Sequence, residues 1–161
     1  MILVTLGTQD KPFTRLLQII EEQIDKGNVN GRVVVQAGCT QFKTEKMDIF
    51  DLVPMDKLNR LTEEADFIIT HGGVGSIISA LKNGKKIIVC PRLYKYGEHI
   101  NDHQLEITEN FSENGYVCAL NDGDDLGEVL KKLGSFTPKE FKSNTENMIK
   151  IVDEFIEKAL K

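Results

Sequence analysis

The 161-residue sequence has no Trp, only three Cys and no surplus of basic residues, and each shortage excludes something. With 20 Lys and Arg against 25 Asp and Glu, the formal charge is -5. The clustered positive excess of a nucleic-acid surface is therefore missing, and no nucleic-acid partner is expected. Small acidic ligands are still allowed, because local fields can oppose the net charge. Cys39, Cys90 and Cys118 are odd in number, lie far apart and form no C-x-x-C pair. This speaks against a disulfide framework and a zinc ribbon, and fits a reducing cytoplasm. No stretch approaches the roughly eighteen apolar residues of a spanning helix. The start, "MILVTLGTQD", lacks a basic n-region and turns polar within a few residues, so it reads as neither signal peptide nor membrane span. Linkers, low-complexity tracts and sequence repeats are also missing.

The chain is instead rich in short apolar runs, at 40% hydrophobic residues overall, enough for one globular domain with a substantial core. Met1 to Leu6 reads as a buried strand followed by the loop "GTQDKP". Phe13, Leu16, Leu17, Ile20 and Ile24 then recur at helical spacing, with Pro12 at the start and Gly27 just past the end. "RVVVQAG" and "MDIFDLVP" are the next strand candidates, and "MDKLNRLTEEA" is a short helix that Asp56 can cap. "DFIIT" is a strand, Val74 to Asn83 a helix stopped by Gly84, and "KIIVCP" a strand. A polar loop leads to a helix over His103 to Glu113, the strand "YVCAL", a helix from about Asp125 to Leu133, and a last helix from Pro138 onward. In that last segment Phe141, Met148, Ile151, Val152, Phe155, Ile156 and Leu160 form an apolar stripe expected to pack on the domain. Alternation of apolar strands with helices predicts an α/β fold: a doubly wound, mainly parallel, Rossmann-like sheet covered on both faces. Such folds bind ligands at the carboxyl ends of their strands.

Four segments follow strands and should meet at that edge: "GTQD", "AGCTQF", "HGGVGS" and "PRLYKYGEHINDHQ". Gly72, Gly73 and Gly75 remove side chains that would hold a ligand off the backbone. Gly75, Ser76 and Ile77 can present free N–H groups at a helix N-terminus, an arrangement that favours phosphate, and Ser76 adds a hydroxyl. The "LGTQ" turn at Gly7 and Thr8 should reach the same place. No G-x-x-x-x-G-K-[ST] pattern is present, so no lysine is positioned for ATP hydrolysis. G-x-G-x-x-G is also missing, and the second strand ends in "VVVQAG" rather than in an acidic residue, which disfavours a dinucleotide. His99 and His103, with Glu98 and Asp102 beside them, could share a helix face, but spacing fixes no third ligand and no metal site is expected. Arg92, Tyr94 and Lys95 read as a polar loop, either solvated or facing an acceptor or partner.

"HGGVGSIISALKNGKKIIVCPR" followed by "EHINDHQ" resembles the nucleotide-sugar-binding half of two-domain family 28 glycosyltransferases, and "MILVTLGTQDKPFTRLL" is similar to the start of their small split-subunit members. The resemblance runs through about Leu120. It implies the C-terminal, donor-binding half of a GT-B glycosyltransferase, acting as the catalytic subunit of a two-component enzyme. The bacterial members it resembles transfer a sugar, often galactose, in capsule and exopolysaccharide synthesis. The eukaryotic counterpart adds the second N-acetylglucosamine to dolichol diphosphate. By the same resemblance, a UDP-sugar is the donor substrate with no further cofactor. His71, Gly72, Gly73, Gly75 and Ser76 lie against its diphosphate and ribose, and Asp102, His103 and Gln104 face its sugar. This chain has Ser79 where many relatives have a ribose-binding Glu.

Sugar transfer also needs the leaving diphosphate stabilised, which backbone donors at Gly7, Thr8, Gly75 and Ser76 can supply, and a base for the acceptor proton. His71 is a candidate for that base, for a phosphate contact or for support of the turn; a base on another subunit is the alternative. The expected partners are a lipid-linked saccharide acceptor and a membrane-anchored subunit that supplies the acceptor half and holds this chain at the inner face of the membrane. Self-association is compatible with this reading, as is a non-catalytic nucleotide-sugar-binding module that regulates a partner.

Overall fold

A computed structural model describes residues 1–142. Six parallel strands form one sheet in the order β3-β2-β1-β4-β5-β6: β1 Ile2–Thr5, β2 Val33–Gln36, β3 Asp48–Phe50, β4 Phe67–His71, β5 Lys86–Cys90 and β6 Cys118–Ala119. The four central strands are almost wholly buried, which is why they read as unbroken apolar runs. The short edge strands β3 and β6 are more open.

The pleat sends alternate residues to opposite faces. Ile2, Val4, Val33, Val35, Ile69 and Ile88 pack against Leu16, Leu17 and Ile20 of α1 (Thr14–Asp25) and Leu126, Val129 and Leu133 of α5 (Leu126–Ser135). Leu3, Val34, Ile68, Ile87 and Val89 pack against Ile77, Ala80 and Leu81 of α3 (Val74–Lys82). Leu58 and Leu61 of α2 (Met55–Glu64) and Ile107 and Phe111 of α4 (His103–Glu113) complete that second layer. Each fully buried Val, Leu or Ile among them contributes about 1.5–3 kcal/mol by leaving water.

The sequence reading needs small corrections. Pro54, not Asp56, stands at the N-cap of α2; Asp56 lies within the first turn and makes no capping bond. Helix α3 ends at Lys82, with Asn83 as C-cap and Gly84 beyond it at φ 65°. Asp125 caps α5 through a bond from the Glu128 N–H of 3.1 Å. Residues 138–142 are not helical, and Phe141 packs edge-on against Tyr116. The rest of the expected terminal helix lies outside the described residues.

From β1 the chain winds outward through β2 to β3, then returns to β4 beside β1 and winds the other way. The order therefore reverses between β1 and β4. Crossovers leave in opposite directions there, opening a crevice beyond the carboxyl ends of the two strands.

Candidate functional site

The four loops expected at the carboxyl edge do meet there. Arg92 ties two of them together. It is 1% exposed, and its guanidinium donates to the carbonyls of Leu6 (2.7 Å), Lys11 (2.7 Å) and Glu98 (3.1 Å) over the ring of Phe13. Arg15 and Glu98 form a second tie through two bonds of 2.8 and 2.9 Å. Gln9 Nε2 lies 3.0 Å from His99 Nε2, and the Cys39 thiol donates to Gln9 O at 3.0 Å. Arg92 is thus a buried strut and not part of a solvated loop, whereas Tyr94 and Lys95 are exposed as that reading expected.

The turn from β4 into α3 carries the donors. Among the described residues, no acceptor takes the N–H of Val74, Gly75 or Ser76, nor those of Gly7 and Thr8 in the loop after β1. Ile77 differs from expectation, since its N–H already donates to Gly73 O at 3.1 Å. A helix start leaves its first N–H groups unpaired and partly positive, so this end of α3 can hold an anion. Gly75 has no atom within 4 Å of where a Cβ would stand, so the space in front of these groups is open.

The other glycines answer to their neighbours. A Cβ on Gly7 would stand 2.6 Å from His71 Nε2, and one on Gly73 would stand 2.3 Å from it. The imidazole therefore sits between the two turns, at 7% exposure. A Cβ on Gly72 would meet the Cβ and backbone oxygen of Gln104, both at 2.8 Å.

Burial first, and then the nearby charges of Arg92 and His99, push the His71 pKa down to about 4. The ring is neutral at pH 7. Its Nδ1 is 3.4 Å from Thr5 O, a contact that needs the proton on Nδ1 and leaves the lone pair on Nε2, toward the glycines. A base this weak is poorly matched to proton abstraction near neutrality. Of the roles open to His71 in the sequence, support of the turn fits its surroundings best.

The D-H-Q triplet divides. Gln104 is buried, and its Oε1 accepts from Gly72 N–H (3.0 Å) and Arg92 N–H (3.1 Å). Its oxygen therefore braces the turn and is not free for a sugar. Asp102 and His103 are exposed; Asp102 Oδ1 accepts from Tyr94 N–H at 2.9 Å, and His103 Nδ1 lies 3.2 Å from Glu106. Glu98, His99, Asp102 and His103 thus turn to different partners and do not converge as a ligand set.

Beside Gly75 and Ser76 a pocket of about 160 Å³ runs between α2, α3 and the ends of β1 and β2. Thr5, Gln36, Thr62, Ser76 and Ser79 supply its polar lining, and Leu3, Leu58 and Ile68 part of its apolar lining. Thr5 Oγ1 is paired with Thr70 Oγ1 across β1 and β4 at 2.7 Å. Sequence reasoning did not mark Gln36 as a lining residue of this pocket. Its only signal was its place at the end of the second strand, where an acidic residue had been looked for. A larger hollow of about 490 Å³, lined by Phe42, Met47 and Ile49, lies at the β3 edge away from the turn.

Comparison with known proteins follows this geometry. The family model described as the glycosyltransferase family 28 C-terminal domain matches residues 1–159. The UDP-N-acetylglucosamine transferase subunit ALG13 of Candida albicans is 33% identical over 79 residues, covering 49% of this chain and 26% of that protein. Its counterpart in Candida glabrata is 33% identical over 86 residues, covering 52% and 41%. The chain thus spans well under half the length of these two curated relatives. The subunit of that name from Yarrowia lipolytica is 26% identical over 140 residues, covering 80% of this chain and 69% of that protein. An NMR solution structure of ALG13 has the same fold, with a TM-score of 0.59, 20% identity and coverage of 90% and 91%. So does the crystal structure of MurG from Acinetobacter baumannii, with a TM-score of 0.54, 16% identity and coverage of 82% and 40%. The six-stranded parallel sheet, the unpaired N–H groups at its reversal point and the family match agree, and the chain belongs to the glycosyltransferase family 28 C-terminal domain family.

Proposed function

We propose that this chain is the donor-binding, catalytic subunit of a two-component glycosyltransferase that moves N-acetylglucosamine from UDP-N-acetylglucosamine to a lipid-linked saccharide. The observation that carries the proposal is the open turn at Gly75 and Ser76, with free N–H groups at a helix start beside a partly polar pocket. The relatives named UDP-N-acetylglucosamine transferase subunits supply the donor and the word subunit. They favour this sugar over galactose, and they lend nothing to a role in capsule or exopolysaccharide synthesis.

In the transfer an acceptor hydroxyl attacks the anomeric carbon, the bond from that carbon to the β-phosphate oxygen breaks, and UDP leaves with the bonding electrons. The acceptor proton passes to a base. N–H groups of Gly75, Ser76, Gly7 and Thr8 stabilise the charge that grows on the diphosphate, in a position fixed before the reaction begins. The sign of Arg92, buried under the loop after β1, assists them. With His71 neutral and weakly basic, the base comes from the partner or from the acceptor side of the cleft.

Among the described residues no helix is long and apolar enough to cross a membrane. We therefore assign contact with the lipid-linked acceptor, at the cytoplasmic face, to a membrane-anchored partner. The test supplies labelled UDP-N-acetylglucosamine and UDP-galactose, a lipid-linked acceptor, and the chain with or without membranes carrying the partner. Labelled product from the first donor only when both components are present is the expected result. Full turnover by the chain alone would refute the split enzyme. Donor binding without product in any combination would favour a regulatory nucleotide-sugar module. Product from UDP-galactose alone would restore the other donor.

A further inference from the structure

Among the described residues, the large apolar side chains that stand open to solvent are Leu52, Met55, Val74, Tyr94, Tyr96 and Ile100. All lie on segments that leave the carboxyl ends of strands: Leu52 and Met55 between β3 and the first turn of α2, Val74 at the start of α3, and the rest between β5 and α4. Exposed apolar side chains scattered over a surface need no explanation, but a group of them gathered on one edge and rimmed by polar residues marks a contact surface. The loop from β5 to α4 is its densest part, with Tyr94 63% and Ile100 71% exposed.

That loop is firmly held. The Tyr96 hydroxyl donates to Asp122 Oδ1 at 3.0 Å, and Lys95 Nζ donates to Asp122 Oδ2 at 2.5 Å. The Arg15 guanidinium carbon lies 5.1 Å from the centre of the Tyr96 ring and 5.3 Å from that of Phe13. Phe13 is also the ring under Arg92, so a ladder of rings and cations runs from the buried strut to the exposed loop. Gly97 N–H closes the turn on Tyr94 O at 2.9 Å. A contact surface already fixed in place loses little freedom when something docks on it.

Charge selects the occupant. Between Pro91 and Asp125 the chain has eight Asp and Glu against Arg92 and Lys95. Arg92 is buried, and Lys95 is bound to Asp122. Asp102 and Asp122 bond to the loop itself, and Glu106 is one helical turn past Asp102. This acidic rim repels an anionic lipid surface. A two-fold contact between copies would set the same rim against itself. What fits is a protein surface with an apolar recess bordered by Lys and Arg.

We propose that Tyr94, Tyr96 and Ile100 are the docking surface for the membrane-anchored partner subunit, which meets them with such a recess. The proposal rests on the split-enzyme reading above and says where the second component sits. Both ends of the loop are bonded to the donor site, since Arg92 donates to Leu6 O and Gln104 accepts from Gly72 N–H. A partner docked here therefore stands beside the Gly75 turn.

The test puts the photo-crosslinker p-benzoylphenylalanine in place of Tyr94, of Ile100 or, as a control on the opposite edge of the sheet, of Asn30. All these positions are exposed, so the crosslinker displaces no packed side chain. Irradiation of the full chain with the membranes of the transfer assay should join positions 94 and 100, but not 30, to one membrane protein, with less adduct at high salt. Tyr94→Ala combined with Ile100→Glu should bind those membranes about tenfold more weakly or worse, as loss of central anchors does. The same variant should bind UDP as the unaltered chain does, which also shows that it is folded. Adducts with lipid alone or with a second copy of this chain, or no adduct at either position, would overturn the docking surface. If labelled product still forms in that case, the split enzyme stands without it. One membrane-protein adduct at both positions on membranes that yield no product would keep the surface and sink the transferase reading.

Discussion

The two halves of the "HGGVGS" turn look alike as sequence and differ as structure. In the first half, Gly72 and Gly73 are glycine because the protein fills the space a side chain would need: Gln104 stands over one and His71 over the other. In the second half, Gly75 faces nothing within 4 Å. The first half is a packed joint that fixes the direction of the turn, and the second leaves the start of α3 open. A glycine-rich motif is thus a mixture of positions set by packing and positions left open, and spacing alone does not separate them.

The largest effect should come from filling the packed joint. Gly73→Ala places a Cβ against the His71 ring, an overpacking cost of about 1–3 kcal/mol. Gly7→Ala meets the same ring and also forces alanine into a backbone conformation with φ 79°, which adds about 1–2 kcal/mol. Thermal or urea unfolding should rank Gly7→Ala below Gly73→Ala, and both below the unaltered protein. Adding His71→Ala sharpens the comparison. In a double-mutant cycle it should relieve the clash at both glycines but leave the backbone strain at Gly7. A Gly73→Ala protein as stable as the parent would show that the joint is not packed as described.

An effect of similar size should follow acidification. The folded pKa of His71 lies near 4, below its ordinary 6.5. The folded state therefore prefers the neutral ring, and the unfolded chain takes up a proton first as pH falls. The resulting stability is fully present above about pH 6.5 and is lost progressively toward pH 4, on the order of 3 kcal/mol over that window. Unfolding free energies measured between pH 7.5 and 4 should fall along this slope. The slope should flatten in His71→Gln, which cannot titrate. An unchanged slope in that variant would place the acid sensitivity elsewhere.

Much of the fold was legible because the signals were local. Apolar runs of strand length alternating with helical periodicity yielded all six strands and five helices near their observed bounds. His103 to Glu113 was met to the residue. The helix expected from Pro138 was read from periodicity alone, and its first described residues follow tertiary contacts instead, with Phe141 drawn onto Tyr116. At the site, the gathering of four loops followed from strand direction, and the donors at Gly75 and Ser76 followed from the strand-turn-helix context. What escaped was the choice each side chain makes among neighbours distant in sequence. Arg92 looked like a loop cation and is a buried strut, and Gln104, read as a sugar contact, braces Gly72 through its Oε1. Those assignments depend on contacts between residues as far apart as Leu6 and Arg92, which no local pattern encodes.

The smallest effect on stability should come from the open half, and it separates the two halves most cleanly. Gly75 lies in the first turn of α3 with a free N–H and open space in front. An alanine there meets no atom of the protein, and within a helix alanine is favoured over glycine by up to about 1 kcal/mol. Gly75→Ala should therefore unfold at the same temperature as the parent or slightly above it. Binding should move the other way, because the added methyl stands where a phosphate must approach the N–H groups of Gly75 and Ser76. A loss of about one phosphate-to-amide hydrogen bond corresponds to roughly tenfold weaker UDP affinity. Paired measurements on one sample, unfolding and UDP titration, should give a protein at least as stable as the parent that binds UDP worse. A variant that binds UDP as tightly as the parent would mean the diphosphate does not sit on this turn.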